Sequence, residues 1–325
     1  MDNINIQNNN ISIWVDKYRP TDLDSIVGNK SAIDQFKMIA NTGNIPHMIL
    51  SGPSGTGKTT SILCLAKILL KNEFNNSFLE LNASDDRGID TIRSKITTFC
   101  KKKVYLPDGI HKIIFLDEFD SMTSVAQQAL RRIIETYSNT TRFVMACNCS
   151  TKIIEAIQSR CSVIKFSKIN KNDMKDRLMQ ICQYEKVEWL DDGLDKILEN
   201  AEGDMRKAIN NLQSTAITYG TINIENVNKL FDKPNNKDIE KLLNESIQKN
   251  FDNAHNILKI FLEDGYQSLD IIQMLFLNLK DRTDIKTDIK LLILIKLGDI
   301  QMNLINGGDS YLQILSFISY IITVL

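Results

Sequence analysis

The stretch "GPSGTGKTT", Gly52 to Thr60, lies directly after the apolar run "HMIL" and directly before the helical pattern "SILCLAKILL". It matches G-x-x-x-x-G-K-[ST] together with the strand-before, helix-after context that this motif requires. Its glycines let the backbone wrap closely round phosphate groups, so that its N–H groups and the following helix N-terminus meet negative charge. Gly52, Pro53, Ser54, Gly55, Thr56 and Gly57 are then the cradle. Lys58 reaches the β- and γ-phosphates of a nucleotide, the Thr59 hydroxyl ligates Mg²⁺, and Thr60 completes the nucleotide-binding set. A chain with this loop is committed to an α/β sheet whose strand ends carry the site.

The surrounding pattern agrees with that commitment. From about residue 47 to 166 the strand-like runs "HMILSG", "FLELNA", "KIIFLDE", "RFVMACN" and "SVIKF" alternate with helical segments such as "SVAQQALRRIIETY". This alternation is the mark of a parallel sheet covered by helices on both faces. At 325 residues the chain exceeds the size at which one core stops growing. Beyond residue 168 only helical spacing remains: Met174, Leu178 and Ile181; Leu194, Ile197, Leu198 and Ala201; Met205, Ala208, Ile209 and Leu212. "DKPNNKD" (232–238) reads as a linker, and helical spacing resumes with Ala254, Ile257, Leu258 and Phe261. The expected order is a disordered asparagine-rich leader (1–12), a nucleotide-binding domain (13–167), a three-helix domain (168–231) and a helical domain (232–325).

"IIFLDE" ends a predicted strand in Asp117 and Glu118, at the edge of an open α/β sheet where ligands gather. Asp117 suits the Mg²⁺ shell and Glu118 suits a base for an attacking water. A phosphotransferase has less use for the second acid, so the pair favours hydrolysis. Asn148, after "RFVMAC", reads either as a turn residue or as a group that orients the water or senses the γ-phosphate. Arg206 falls in the first turn of a helix capped by Asp204, where a cation opposes the helix dipole. Either Asp204 or Glu202, or an anion from outside, compensates it. Arg160, in "IQSRCSVIKF", raises the same choice between a carboxylate of its own chain and a foreign anion.

The net charge of −1 excludes a protein that coats nucleic acid through overall positive charge, so any such contact must be local. The six cysteines contain no C-x-x-C pair, which favours reduced core thiols over zinc. The amino terminus lacks the basic and apolar regions of a signal peptide. The closing apolar segment "YLQILSFISYIITVL" is too short to span a membrane and reads as a helix buried against other helices or another subunit.

Seven blocks in order, "WVDKYRP", "GNIPHMILSGPSGTGKTT", "ELNASDDRGID", "LDEFDSM", "QQALRR", "CNCSTKIIEAIQSRC" and "AEGDMRKAINNLQS", resemble the small subunits of replication factor C, sliding-clamp loaders of the AAA+ ATPase class. The resemblance covers at least Trp14 to Thr215. It implies a P-loop ATPase domain with a parallel five-stranded sheet, a helical lid, an all-α collar, and five related subunits in an open spiral. On its terms Val15, Tyr18 and Arg19 lie over the adenine of ATP. Asn148 is the sensor of the fourth strand, and Arg206 is the lid arginine on bound nucleotide. Arg160 is the arginine finger that enters the ATP site of the neighbouring subunit. Where the family commonly has D-E-A-D, this chain has Asp117, Glu118, Phe119 and Asp120, which alters local packing and puts the turnover rate in question.

The segment "SDDRGIDTIRSKITTFCKKK" has an apolar helical stripe at Ile89, Ile92, Ile96 and Phe99, with Arg87 and Arg93 off it and Lys101, Lys102 and Lys103 closing the helix. The resemblance puts Arg87, Arg93 and Lys152 against the DNA phosphate backbone, where contacts set tracking rather than sequence choice. "VYLP" (104–107) reads either as a plug for the clamp's surface pocket or as core packing of the loop. The function expected is an ATPase subunit that opens and loads the sliding clamp (PCNA) onto primer–template DNA, stimulated by that DNA, inside the cell and, if the source is eukaryotic, in the nucleus. The alternative is a subunit of another AAA+ replication machine. An origin-binding domain or aromatic pore loops would mark such a rival, and these 325 residues show the pattern of neither.

Overall fold

The computed structural model describes residues 12–83, 89–107, 109–230 and 236–324. The chain divides into two compact units, Met1–Ile224 and Glu225–Leu325. In the first, α1 (Trp14–Lys17) and α2 (Lys30–Thr42) precede β1 (Met48–Ser51). Then follow α3 (Lys58–Leu70), α4 (Phe74–Ser77), β2 (Phe78–Asn82), α5 (Ile89–Lys101), β3 (Lys112–Asp117), α6 (Ser124–Tyr137), β4 (Thr141–Cys147), α7 (Glu155–Gln158) and β5 (Ser162–Lys165). Strands pair in the order β2-β3-β4-β1-β5, every pair parallel.

The continuous apolar runs of β1, β3 and β4 follow from burial on both faces. Alternate residues serve opposite cores, as the pleat dictates. Met48, Leu50, Ile113, Phe115, Val144 and Ala146 join Phe36, Ile62 and Leu65 on one face. Ile49, Ile114, Leu116, Phe143 and Met145 join Ile96, Leu130 and Ile134 on the other. Phe119 is fully buried in this second core. The residue that departs from the D-E-A-D pattern is therefore a packing residue. Because β1 lies between β4 and β5, the chain crosses over it, and the loops leaving β1, β3 and β4 gather at one edge.

Helices α8 (Lys171–Glu185), α9 (Asp191–Ala201) and α10 (Met205–Tyr219) realise the three helical patterns. They are joined by a parallel pair, β6 (Glu188–Trp189) with β7 (Thr221–Ile222), that the all-helical expectation omitted. Two-residue strands carry no period to read. α11 (Ile224–Leu230) follows.

The expected leader lies outside the described residues apart from Ser12, as does Arg87. Of the expected linker, 232–235 lie outside them, and Asn236 to Asp238 already belong to α12 (Asn236–Ile247). With α13 (Phe251–Glu263), α14 (Ser268–Asp281), α15 (Thr287–Ile305) and α16 (Ser310–Val324), it encloses a core of its own, of Leu242, Leu258, Phe261, Leu275, Leu297, Ile314 and Phe317. No helix among the described residues is long and apolar enough to cross a membrane.

α5 ends at Lys101, where the lysine run was expected to close it, and a further lysine from outside the run meets the helix end. The buried Lys112 ammonium donates to the carbonyls of Phe99 (2.9 Å), Cys100 (2.6 Å) and Lys102 (2.8 Å), while Lys102 itself reaches Asn76. A strand residue thus meets the orphan carbonyls that every helix end leaves.

Candidate functional site

The phosphate loop runs from the end of β1 into α3, with Gly55 at φ 63° and Gly57 at φ 96°. A side chain at Gly55 would also collide with Asp204, since its Cβ would stand 1.7 Å from Oδ1. Only glycine gives both the left-handed backbone and this approach. Lys58, buried at the start of α3, donates to the carbonyls of Gly52 and Pro53 (2.8 Å to the latter) and to Asn148 Oδ1 at 3.2 Å. Burial pulls its ammonium below the ordinary range, and Asp117 acts in the opposite sense. Asn29 braces the loop from outside, donating from Nδ2 to the Thr56 carbonyl at 3.3 Å.

The Thr59 hydroxyl donates to Asp117 Oδ2 at 2.8 Å, so the two residues expected to share a cation already adjoin. The other oxygen, Oδ1, accepts the Glu118 N–H at 2.8 Å. Glu118 turns through a left-handed backbone, φ 50°, a conformation that costs a non-glycine residue about 1 kcal/mol. That turn carries its exposed carboxylate to the strand edge. Asp120 accepts the Asn148 N–H at 3.3 Å, linking the turn after β3 to the end of β4.

The helical lid meets the loop directly. Asp204 caps α10 by accepting the Lys207 N–H at 3.0 Å, and its other oxygen accepts the Ser54 hydroxyl at 2.8 Å. The Met205 N–H donates to the Gly55 carbonyl at 3.1 Å. With Asp204 so engaged, and Glu202 paired with Lys168 at 3.5 Å, the two carboxylates that would have compensated Arg206 serve other partners.

These elements enclose a cavity of about 450 Å³. Val15, Tyr18, Arg19, Ser54, Gly55, Thr56, Gly57, Lys58, Thr59, Thr60, Asp117, Glu118, Asn148 and Arg206 all line it. Gly52 and Pro53 act from behind, through the carbonyls that hold Lys58. The reading by motif omitted the apolar wall, Ile26, Val27, Ile169, Met205 and Ile209. Met205 shares its helical spacing with Ala208, Ile209 and Leu212, and periodicity cannot separate a core face from a cavity face. The donor set fits a nucleoside triphosphate with Mg²⁺: a threonine hydroxyl and one carboxylate at the cation position, an ammonium at the phosphates and apolar surface for a base.

Three sequence-derived residues lie elsewhere. Arg160 is exposed, bonded through Nη2 to Glu135 Oε1 at 2.9 Å and through Nη1 to the Ala156 carbonyl at 2.7 Å, and it does not line the cavity. Arg93 stands exposed on α5. Lys152, also exposed, sits in a turn held by Gln127, whose Nε2 donates to the Lys152 carbonyl at 3.1 Å and whose Oε1 accepts the Ile154 N–H at 2.9 Å. In the "VYLP" stretch Leu106 packs against the first core, whereas Tyr105 is 98% exposed.

Residues 48–169 match the ATPase family associated with various cellular activities (AAA), residues 176–217 the RCF1/5-like AAA+ ATPase lid domain, and residues 234–320 the replication factor C C-terminal domain. Replication factor C subunit 4 of Saccharomyces cerevisiae is 48% identical over 309 residues, 95% of each chain. The replication factor C small subunit of Sulfolobus acidocaldarius is 40% identical over 94% of each. Among solved structures, the RuvB Holliday junction branch migration motor of Thermotoga maritima shares the fold, with a TM-score of 0.55 at 19% identity over 70% of this chain and 79% of that one. With a P-loop ATPase domain, a helical lid and an all-α collar in sequence, this chain belongs to the replication factor C family of AAA+ ATPases.

Proposed function

We propose that this chain is an ATPase subunit of a hetero-pentameric clamp loader, which uses ATP to open the sliding clamp (PCNA) and place it on primer–template DNA. The observation that carries the reading is the division of cations: Lys58 and Arg206 line the cavity, whereas Arg160 stands outside it in solvent. The chain's own site has its positive charges, and a further arginine, held only by an exposed ion pair and a backbone carbonyl, serves the next subunit's ATP.

In the local site, Lys58 and the loop N–H groups hold the β- and γ-phosphates. Val15, Tyr18 and Arg19 cover the base. Thr59 and Asp117 would hold Mg²⁺, which when bound neutralises charge on the phosphate oxygens. Glu118 takes a proton from a water that attacks the γ-phosphorus, and the bond to the bridging oxygen of the leaving ADP breaks. Asn148, tied to Lys58, senses the γ-phosphate; Arg206 reports it to the lid. Arg160 stabilises the transferred charge at the neighbouring site.

Arg93 and Lys152, with Arg87 outside the described residues, track the DNA backbone, and Tyr105 touches the clamp. The exposed Leu291, Ile295, Met302 and Ile305 of α15 give the collar apolar surface for subunit contact. The eukaryotic relatives favour a nuclear location.

The test is purification from the native source, followed by ATPase assays with clamp and primed DNA. Co-purification of four related chains, and turnover raised by clamp and DNA, is the expected result. Isolation of the chain alone, with turnover indifferent to both, overturns the reading.

A further inference from the structure

Residues Trp14 to Pro20 reach the cavity with Val15, Asp16, Tyr18 and Arg19, and they are fastened far more firmly to the lid than to the sheet domain. Glu185, at the end of α8, accepts from both Lys17 Nζ and the Tyr18 hydroxyl through Oε1, each at 2.7 Å. Arg177, two turns earlier on the same helix, donates to the Tyr18 carbonyl at 2.9 Å. Tyr184 stacks on the Tyr18 ring, with centroids 6.1 Å apart and 20° between planes. On α10, Gln213 accepts the buried Trp14 N–H at 2.9 Å and donates to the Ser12 carbonyl at 3.2 Å.

Ties to the sheet domain are weaker in kind. Arg19 Nε approaches Thr60 Oγ1 at 3.4 Å, and the Cys64 thiol approaches the Pro20 carbonyl at 3.5 Å. The Arg19 bond has a charged donor but is long, and a thiol is a poor donor, whereas the Lys17–Glu185 bond is short and ionised at both ends. The strap is thus mechanically part of the lid.

We propose that Glu185 is a positioning residue for nucleotide binding: by fixing Lys17 and Tyr18 to α8 it makes the strap and the lid one body, so that base cover and lid closure are a single event. Glu185 does not line the cavity. It acts through Tyr18. The proposal rests on the cavity being the nucleotide site, and the controls separate the two.

The experiment measures ADP affinity of the full-length chain by calorimetric titration, alongside amide hydrogen exchange with and without ADP. Glu185→Ala is expected to weaken ADP about tenfold, the scale of losing one charge-assisted bond. Tyr18→Phe should weaken it in the same sense, and the double variant should lose little beyond the worse single one. Glu185→Gln, which keeps an acceptor for Tyr18 but not the charge, should fall between wild type and Glu185→Ala. In wild type ADP should slow exchange in 14–20 and in α8 together; in Glu185→Ala the protection of 14–20 should be lost while that of α8 remains. Wild-type affinity in Glu185→Ala, fully additive losses, or an undisturbed strap would each overturn the proposal. Should Glu185→Ala fail to fold, Glu185→Gln and Tyr18→Phe carry the same comparison. Normal ADP binding by Lys58→Ala would remove the nucleotide site itself, and this proposal with it.

Discussion

Arg160 places Nη2 2.9 Å from the Glu135 carboxylate of its own chain, and the two side chains are 42% and 41% exposed. Ion pairs this exposed contribute about 0–1 kcal/mol. The pair holds the guanidinium without accounting for its position. Arg160→Ala should therefore change the unfolding free energy of the isolated chain by less than about 1 kcal/mol, as read from urea denaturation.

Glu118 is held at the strand edge by its left-handed turn and by the bond from its N–H to Asp117, while Asp117 also engages Thr59. On the proposed function, separate residues serve cation and water. Glu118→Gln is expected to bind ATP as wild type does and to hydrolyse it about 10²–10⁴-fold more slowly, the usual scale of a lost general base. Single-turnover hydrolysis with a parallel binding titration checks both halves.

Lys112 satisfies three carbonyls at the end of α5 from a buried position. Lys112→Met keeps the stem and strands those acceptors. A loss of about 2–3 kcal/mol is expected, measured by thermal or urea unfolding, with hydrogen exchange in α5 rising first.

His47 accepts the Phe143 N–H at Nδ1 (3.0 Å). Burial, then the Arg142 and His111 charges, push it down from 6.5 to about 4. Between those pH values the unfolded chain binds a proton that the native chain refuses. Stability from this residue is thus complete above about pH 6.5 and falls as pH drops toward 4. Unfolding free energies at pH 7 and pH 4.5 should show the fall, and His47→Gln should flatten it.

The sequence made the sheet, the loop and the acid pair legible because each rests on a local rule: two-sided burial gives continuous apolar runs, and close phosphate approach demands glycine at fixed spacing. Residues that act through the fold stayed hidden. Nothing local announces that Lys112 caps a helix ten residues behind it, that Asn29 braces Thr56, or that Glu185 holds Tyr18 across the chain. Asp204 was legible as a helix cap, but its second bond, to Ser54, depends on how the lid docks. Arg160 stood out only because its local environment offered no purpose beyond a surface ion pair.

The central claim, that Arg160 serves a neighbouring subunit's ATP, is tested most directly in a reconstituted five-subunit complex carrying Arg160→Ala, with hydrolysis confined to the adjoining site by disabling the others. The expected result is ATP affinity of this chain's own site within about twofold of wild type, and hydrolysis at the adjoining site slowed about 10³-fold or more. Unchanged hydrolysis there, or loss of this chain's own ATP binding, would contradict it.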